Sequence, residues 1–129
     1  HAPAWGLGTG INLLPQSNPL LFAKQVASLD YLAKGRLLLG LGVGWLAEEF
    51  QAMGVPFAGR GRRFDDYLGA MKKVWSGEAV EHQSEYLDWS GFKSYPLPHP
   101  RPGRPSGPPI IIGGHSAAAL RRTVAIGDG

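Results

Sequence analysis

Leu37-Leu38-Leu39-Gly40-Leu41-Gly42-Val43-Gly44-Trp45 is the stretch that decides the fold. An unbroken apolar run of this length, stopped by glycines, reads as a strand buried on both faces in a parallel sheet. It closes in the pattern Gly-Leu-Gly-X-Gly. The same pattern stands at Gly6-Leu7-Gly8-Thr9-Gly10, and a third apolar run, Pro109-Ile110-Ile111-Ile112, ends in Gly113-Gly114. Each run is followed by a helical pattern. Three strand–glycine–helix units predict an α/β protein with a parallel sheet. The two Gly-Leu-Gly-X-Gly copies are 34 residues apart (40 minus 6), which is enough chain for a βαβ unit.

Working outward, Asn18 is placed to cap a helix with Pro19 in its first turn and Leu20 to Leu32 as its body. Phe22, Val26, Leu29 and Leu32 supply the expected sheet-facing side, and Lys34-Gly35 ends the helix. A second helix is expected from Trp45 to about Gly54, and a third from Arg60 to Trp75, with Phe64, Leu68, Met71 and Trp75 on one face. Tyr86 to Trp89 reads as a short strand in a hairpin with residues 80–82. The proline-rich stretch from Tyr95 to Pro105 admits only loop or polyproline II. Residues from about 55 to 108 therefore read as an insertion region between two βα units. A last helix runs from Ser116 to Ile126.

Composition narrows the classes further. The chain has 129 residues, 43% of them hydrophobic and 18% charged, so it can bury a core. Having no cysteine excludes a disulfide scaffold, a thiolate nucleophile and a Cys-ligated metal site. Thirteen basic against ten acidic residues give +3, but the basic residues are scattered and form no stripe with interleaved aromatics, so no nucleic-acid partner is expected. The longest apolar run is too short for a membrane span of about 20 residues. No charged-then-apolar leader follows His1, and a cytoplasmic protein is expected. Three strands with raw edges and an abrupt start suggest a piece of a larger (β/α)-type domain.

Strand-end glycines lie where α/β proteins bind ligands, because a residue without Cβ lets a ring or phosphate approach the backbone. The dinucleotide fingerprint GxGxxG fails in both copies, since Ile11 and Trp45 stand where its third glycine belongs. Gly113-Gly114-His115-Ser116 leads into a helix, so it suits either an anion or simple N-capping by Ser116 or His115. His82 and His99 have no partners at metal-ligand spacing and are expected to be exposed, and no metal site is expected. Glu48 and Glu49 favour a helix start. Asn12 follows the first strand end and is expected to point towards the site, or else to serve ordinary turn chemistry with Pro15. No G-x-S-x-G elbow is present, which speaks against a hydrolase.

Taken together, Leu7-Gly8-Thr9-Gly10-Ile11-Asn12, Asn18-Pro19, Ala23 to Asp30, Gly35-Arg36, Gly40 to Trp45 and Glu48-Glu49-Phe50 resemble the luciferase-like monooxygenase superfamily. The likeness resumes at Arg60-Gly61-Arg62-Arg63 with Asp66, at Pro109 to Gly114, at Leu120-Arg121-Arg122 and at Gly127-Asp128-Gly129, which resembles the next strand entry. It is similar in most detail to the branch of coenzyme F420-dependent oxidoreductases. The resemblance implies a TIM (β/α)8 barrel, of which residues 1–129 hold about strands three to five with the insertion region. It implies a cofactor, coenzyme F420 or alternatively FMN, at the carboxyl ends of the strands. Gly10 and Ile11 would form a non-proline cis bulge against the back of the ring, with Asn12 beside it. Gly42, Val43, Gly44 and Trp45 would lie beside ring or substrate, and Gly113, Gly114, His115 and Ser116 at the phosphate. Trp45 departs from the carboxylate found there in sugar-phosphate-oxidising members, and Val43 from a phosphate-contacting arginine of FMN luciferases.

The implied function is a flavin- or F420-dependent oxidoreductase passing a hydride between an organic substrate and the ring. The alternatives are an FMN-dependent monooxygenase using dioxygen, or an inactive truncated remnant. A small-molecule substrate and a homodimer are the expected partners, with catalytic acids or bases outside this chain.

Overall fold

A computed structural model describes residues 6–129. Trp5-Gly6-Leu7 also reads as strand-like in the sequence, and Trp5 lies outside the described residues. The elements run β1 (Leu7–Gly8), β2 (Asn12–Leu13), a 3-10 turn (Leu14–Gln16), α1 (Pro19–Leu32), β3 (Leu37–Gly42), α2 (Ala47–Ala52), α3 (Arg60–Trp75), β4 (Val80–Gln83), β5 (Asp88–Phe92), β6 (Ile110–Ile112) and α4 (Ala117–Ile126).

β3 is the central strand. β1 and β2 pair parallel with one of its edges and β6 with the other, so the three strand–glycine–helix units do form a parallel sheet. Beyond β6 the chain's last residues continue the pattern. The Asp128 amide donates to Ile110 O at 2.7 Å and the Ile112 amide to Gly129 O at 2.7 Å. Asp128 Oδ2 also accepts from the Ile110 amide at 2.8 Å.

α1 starts as the sequence predicts, with Asn18 Oδ1 accepting from the Leu20 and Leu21 amides at 3.1 Å each. Its buried face is different. Pro19, Ala23, Val26, Ala27 and Asp30 are inside, whereas Leu29 and Leu32 are exposed. The reason is α3, which packs on α1 and selects its small residues: the Trp75 indole donates to Ala23 O at 3.0 Å. α3 also places Phe64, Leu68, Met71 and Val74 in one core with Leu37, Leu39, Leu41 and Ile110. Residues 55–108 are therefore not a single insertion, because α3 covers the sheet between β3 and β6. What stands outside that layer is the antiparallel β4–β5 hairpin and the proline-rich loop. The hairpin's second strand is Asp88–Phe92, shifted from the expected 86–89.

The loop is pinned by charge. Asp30 is fully buried and receives a bidentate pair from Arg101, Nη1 to Oδ2 at 2.7 Å and Nη2 to Oδ1 at 2.6 Å. The His99 amide adds a third donor at 3.0 Å. Below it, Gly107 lies flat on the Trp75 ring, where any Cβ would collide.

Removing one partner of a buried ion pair strands the other. Arg101→Ala is expected to destabilise the fold by about 3–5 kcal/mol in urea unfolding. Arg104→Ala, whose pair with Asp128 spans 3.9 Å at an exposed position, should cost less than about 1 kcal/mol.

Candidate cofactor site at the strand tips

The register across β3 contains a mismatch. Gly8 opposes Leu38 and Asn12 opposes Leu41, so four steps on the outer strand face three on β3. The extra residue is absorbed at Thr9-Gly10-Ile11, where the Gly10–Ile11 peptide is cis. This is the bulge that the family resemblance implies at that position. Such an interruption strands ladder groups on the facing residue. Thr9 supplies the replacement: its hydroxyl accepts from the Gly40 amide at 2.9 Å and donates to Gly40 O at 3.1 Å. A Cβ on Gly40 would strike Thr9 O, so this facing position takes only glycine.

The bulge throws the Ile11 side chain across the neighbouring strand tips. It lies over Gly42 and against Gly113, where an added Cβ would overlap Ile11 Cδ1. Three strands thus end in a surface that is apolar and low. Above it opens a cavity of about 260 Å³.

The glycine loop after β3 forms one lip of this cavity. Gly44 has φ +90° and the buried Phe50 ring against its Cα, leaving no room for a side chain. Arg60 Nε, from the first turn of α3, donates to Gly44 O at 2.9 Å. The Arg60 guanidinium lies 3.8 Å over the Phe57 ring, which meets Phe50 edge-on at 5.3 Å. Trp45 follows this fixed backbone and is 81% exposed. The expected helix start at Trp45 is corrected to Ala47, since the left-handed Gly44 and the extended Leu46 hold the chain out of helical geometry. Glu48 and Glu49 occupy the first turn of α2.

The other lip is Gly113, Gly114 and Ser116. The Gly113 amide donates to Leu41 O at 2.8 Å, continuing the ladder to the tip. Ser116 caps α4, accepting from the Ala119 amide at 3.1 Å. Both N-capping and an anion-facing helix end were open readings, and capping is what the serine hydroxyl does here. The amides at the start of α4 retain the partial positive charge of a helix terminus.

Of the candidate residues, Ile11, Gly42, Val43, Gly44, Trp45, Gly113, Gly114 and Ser116 line this cavity. Gly10, Asn12 and His115 do not. Asn12 lines a separate space with Thr9, Phe22 and Gln25 on the α1 side of the sheet, because strand alternation sends Ile11 and Leu13 one way and Asn12 the other. Its Oδ1 is buried without a hydrogen-bond partner. His115 is exposed. Leu13, Ala119 and Arg122 also line the cavity, although the sequence points to none of them as a site residue. Leu13 was detectable from alternation with Ile11. Arg122 required knowing how α4 packs on α3.

His82 and His99 are not free on the surface. His82 Nε2 is 2.8 Å from Asp66 Oδ1, and Lys73 Nζ is 2.9 Å from its Nδ1, with the imidazole 10% exposed. An ammonium only donates, so Nδ1 accepts and Nε2 carries the proton. The His99 ring packs on Gly35. Among the described residues no cluster of three or more His, Asp or Glu is placed to hold a metal, and no helix is long and apolar enough to cross a membrane.

A further cavity of about 260 Å³ lies at the opposite end of β6, lined by Trp75, Arg101, Pro109 and Asp128 among others. Its charged lining is engaged in holding the fold, Arg101 on Asp30 and Lys72 on Ile126 O. In barrel enzymes this amino-terminal face carries stability, while chemistry sits at the carboxyl-terminal face.

Comparisons with known proteins identify the family. A family model described as luciferase-like monooxygenase matches residues 4–129. An uncharacterized protein of Mycobacterium tuberculosis is 39% identical over 109 residues, covering 84% of this chain and 36% of the relative. The FMNH(2)-dependent dimethylsulfone monooxygenase of Pseudomonas putida is 30% identical over 114 residues, covering 86% of this chain and 30% of that enzyme. Among solved structures, the coenzyme F420-dependent tetrahydromethanopterin reductase of Methanopyrus kandleri superposes with a TM-score of 0.78 at 22% identity, over 96% of this chain and 38% of that one. The chain thus spans about a third of the length of the relatives it matches.

If the Gly113 floor is set by Ile11, the two positions must be coupled. Gly113→Ala is expected to destabilise by about 1–3 kcal/mol through overpacking. Adding Ile11→Ala should return part of that loss, and a double-mutant cycle in denaturant would read the coupling as non-additive.

Proposed function

The chain belongs to the luciferase-like monooxygenase family, and from that membership we propose that residues 1–129, as one partial barrel domain, supply one wall of a flavin-type cofactor site in an oxidoreductase. One observation carries the reading: the tips of three parallel strands end together in a low glycine surface under an apolar cavity. Its parts fit a flat ring with an anionic tail. Gly42, Gly44, Gly113 and Gly114 line the cavity, and Ile11, packed over Gly42 and Gly113, supports one face of the ring from below. The start of α4 offers its amides to an anion at the edge. When bound, coenzyme F420 or FMN supplies the hydride chemistry.

This chain's residues orient and enclose. Leu13, Val43 and Ala119 exclude water from one side, and Trp45 stands at the rim beside the substrate's approach. Among the described residues no carboxylate or histidine lines the cavity, and proton transfer is assigned to residues outside this chain. In the favoured reading the substrate is a small organic molecule that exchanges a hydride with the ring. A second reading, an FMN-dependent monooxygenase using dioxygen, has specific support in the 30% identity to dimethylsulfone monooxygenase.

Titrating the protein with coenzyme F420 and with FMN, each followed by absorbance and tryptophan fluorescence, tests the site. Saturable binding of at least one is expected, with quenching that Trp45→Phe diminishes. Oxygen consumption with reduced FMN would favour the monooxygenase. Binding of neither would leave the inactive remnant as the better description.

A further inference from the structure

Among the described residues, Arg122 is the single charged side chain lining the strand-tip cavity. Its guanidinium is held from the side of α3. Nε donates to Asp65 Oδ1 at 2.6 Å and Nη2 to Asp65 Oδ2 at 3.3 Å. The group also lies 5.7 Å from the Phe64 ring centroid. Gly61 completes the seat, since a Cβ there would come within 2.5 Å of Nη2. A bare residue at this point of α3 is what lets the arginine lie flat. The side chain is 17% exposed.

An arginine offers five N–H donors in a rigid plane. Asp65 uses two of them, on the Nε–Nη2 edge. Nη1 has no hydrogen-bond partner among the described residues, and the only carboxylate bonded to the guanidinium lies on the far edge. The arrangement fixes the direction of the remaining donors before any ligand arrives, which lowers the ordering cost of binding. It also places a full positive charge beside the Gly113–Ser116 lip, where the amides at the start of α4 carry the same sign. Such a site suits a dianion with several acceptor oxygens.

We propose that Arg122 recognises the phosphate monoester at the end of a flavin side chain, with Asp65 as its positioning residue. The proposal rests on the cofactor reading above and deepens it, separating recognition of the tail from support of the ring. FMN and riboflavin differ only by that phosphate, so they serve as the two probes. Equilibrium dialysis with the protein should show FMN bound about tenfold or more tightly than riboflavin, the size expected for a hydrogen-bonded charge pair. Arg122→Met keeps the aliphatic stem and should abolish that preference, so that FMN binds no more tightly than riboflavin. Arg122→Lys should keep part of it, and Asp65→Asn should reduce it by less than Arg122→Met does.

A preference that survives Arg122→Met overturns the proposal, as does a loss shared equally by FMN and riboflavin, which marks a packing role. Equal binding of the two flavins by the unaltered protein also overturns it, yet leaves the ring site standing. If coenzyme F420 binds and neither flavin does, this proposal fails and the cofactor site stands; if none of the three binds, the cofactor reading fails with it.

Discussion

The rest of the structure depends on how one surplus residue is accommodated beside β3. A strand pair cannot hold an extra residue without leaving backbone groups unpaired, and buried unpaired groups are costly. Here a single hydroxyl, that of Thr9, answers both groups of Gly40. The bare Cα of Gly40 gives the bulge room. From that local solution follows the direction of Ile11, and from Ile11 follows the need for glycine at position 113, at the tip of β6. Sequence pattern, backbone geometry and cavity shape are thus linked by one hydroxyl and, beyond it, by steric exclusion.

Support for this end of the sheet comes from the other end. Trp75, Gly107 and the Asp30–Arg101 pair lock the proline-rich loop beneath α1 and α3. Because α3 is anchored there, its first turn is fixed near the strand tips. The hairpin is tied to the same helix through Asp66, which receives His82 and the Ser84 hydroxyl at 2.8 Å each. Stability and site geometry therefore share one helix.

Much of this was legible in the sequence, and the boundary is physical. The parallel sheet was readable because apolar runs and glycine stops are local signals. The α1 and α4 N-caps were readable because Asn18 and Ser116 act within their own first turns. The bulge at Gly10–Ile11 came through family resemblance, since no local propensity announces it. What escaped were facts of packing between distant segments. The buried face of α1 was assigned to its largest apolar residues, whereas α3 selected alanines. Nothing local to Asp30 announces its burial, since its partner Arg101 lies 71 positions away. Asn12 was expected at the site, and alternation past an irregular bulge sent it to the opposite side of the sheet. Arg122 escaped for the same reason as Asp30, its partner Asp65 being 57 positions distant.

The Arg60 hydrogen bond to Gly44 has a mechanical consequence. Two α3 residues only five positions apart in sequence (60 and 65) each grip an opposite jaw of the cleft, one through a backbone carbonyl and one through a guanidinium. The helix acts as a brace between them. Sliding it along its axis drags both jaws together, so the opening widens or narrows only if one of these two grips first lets go.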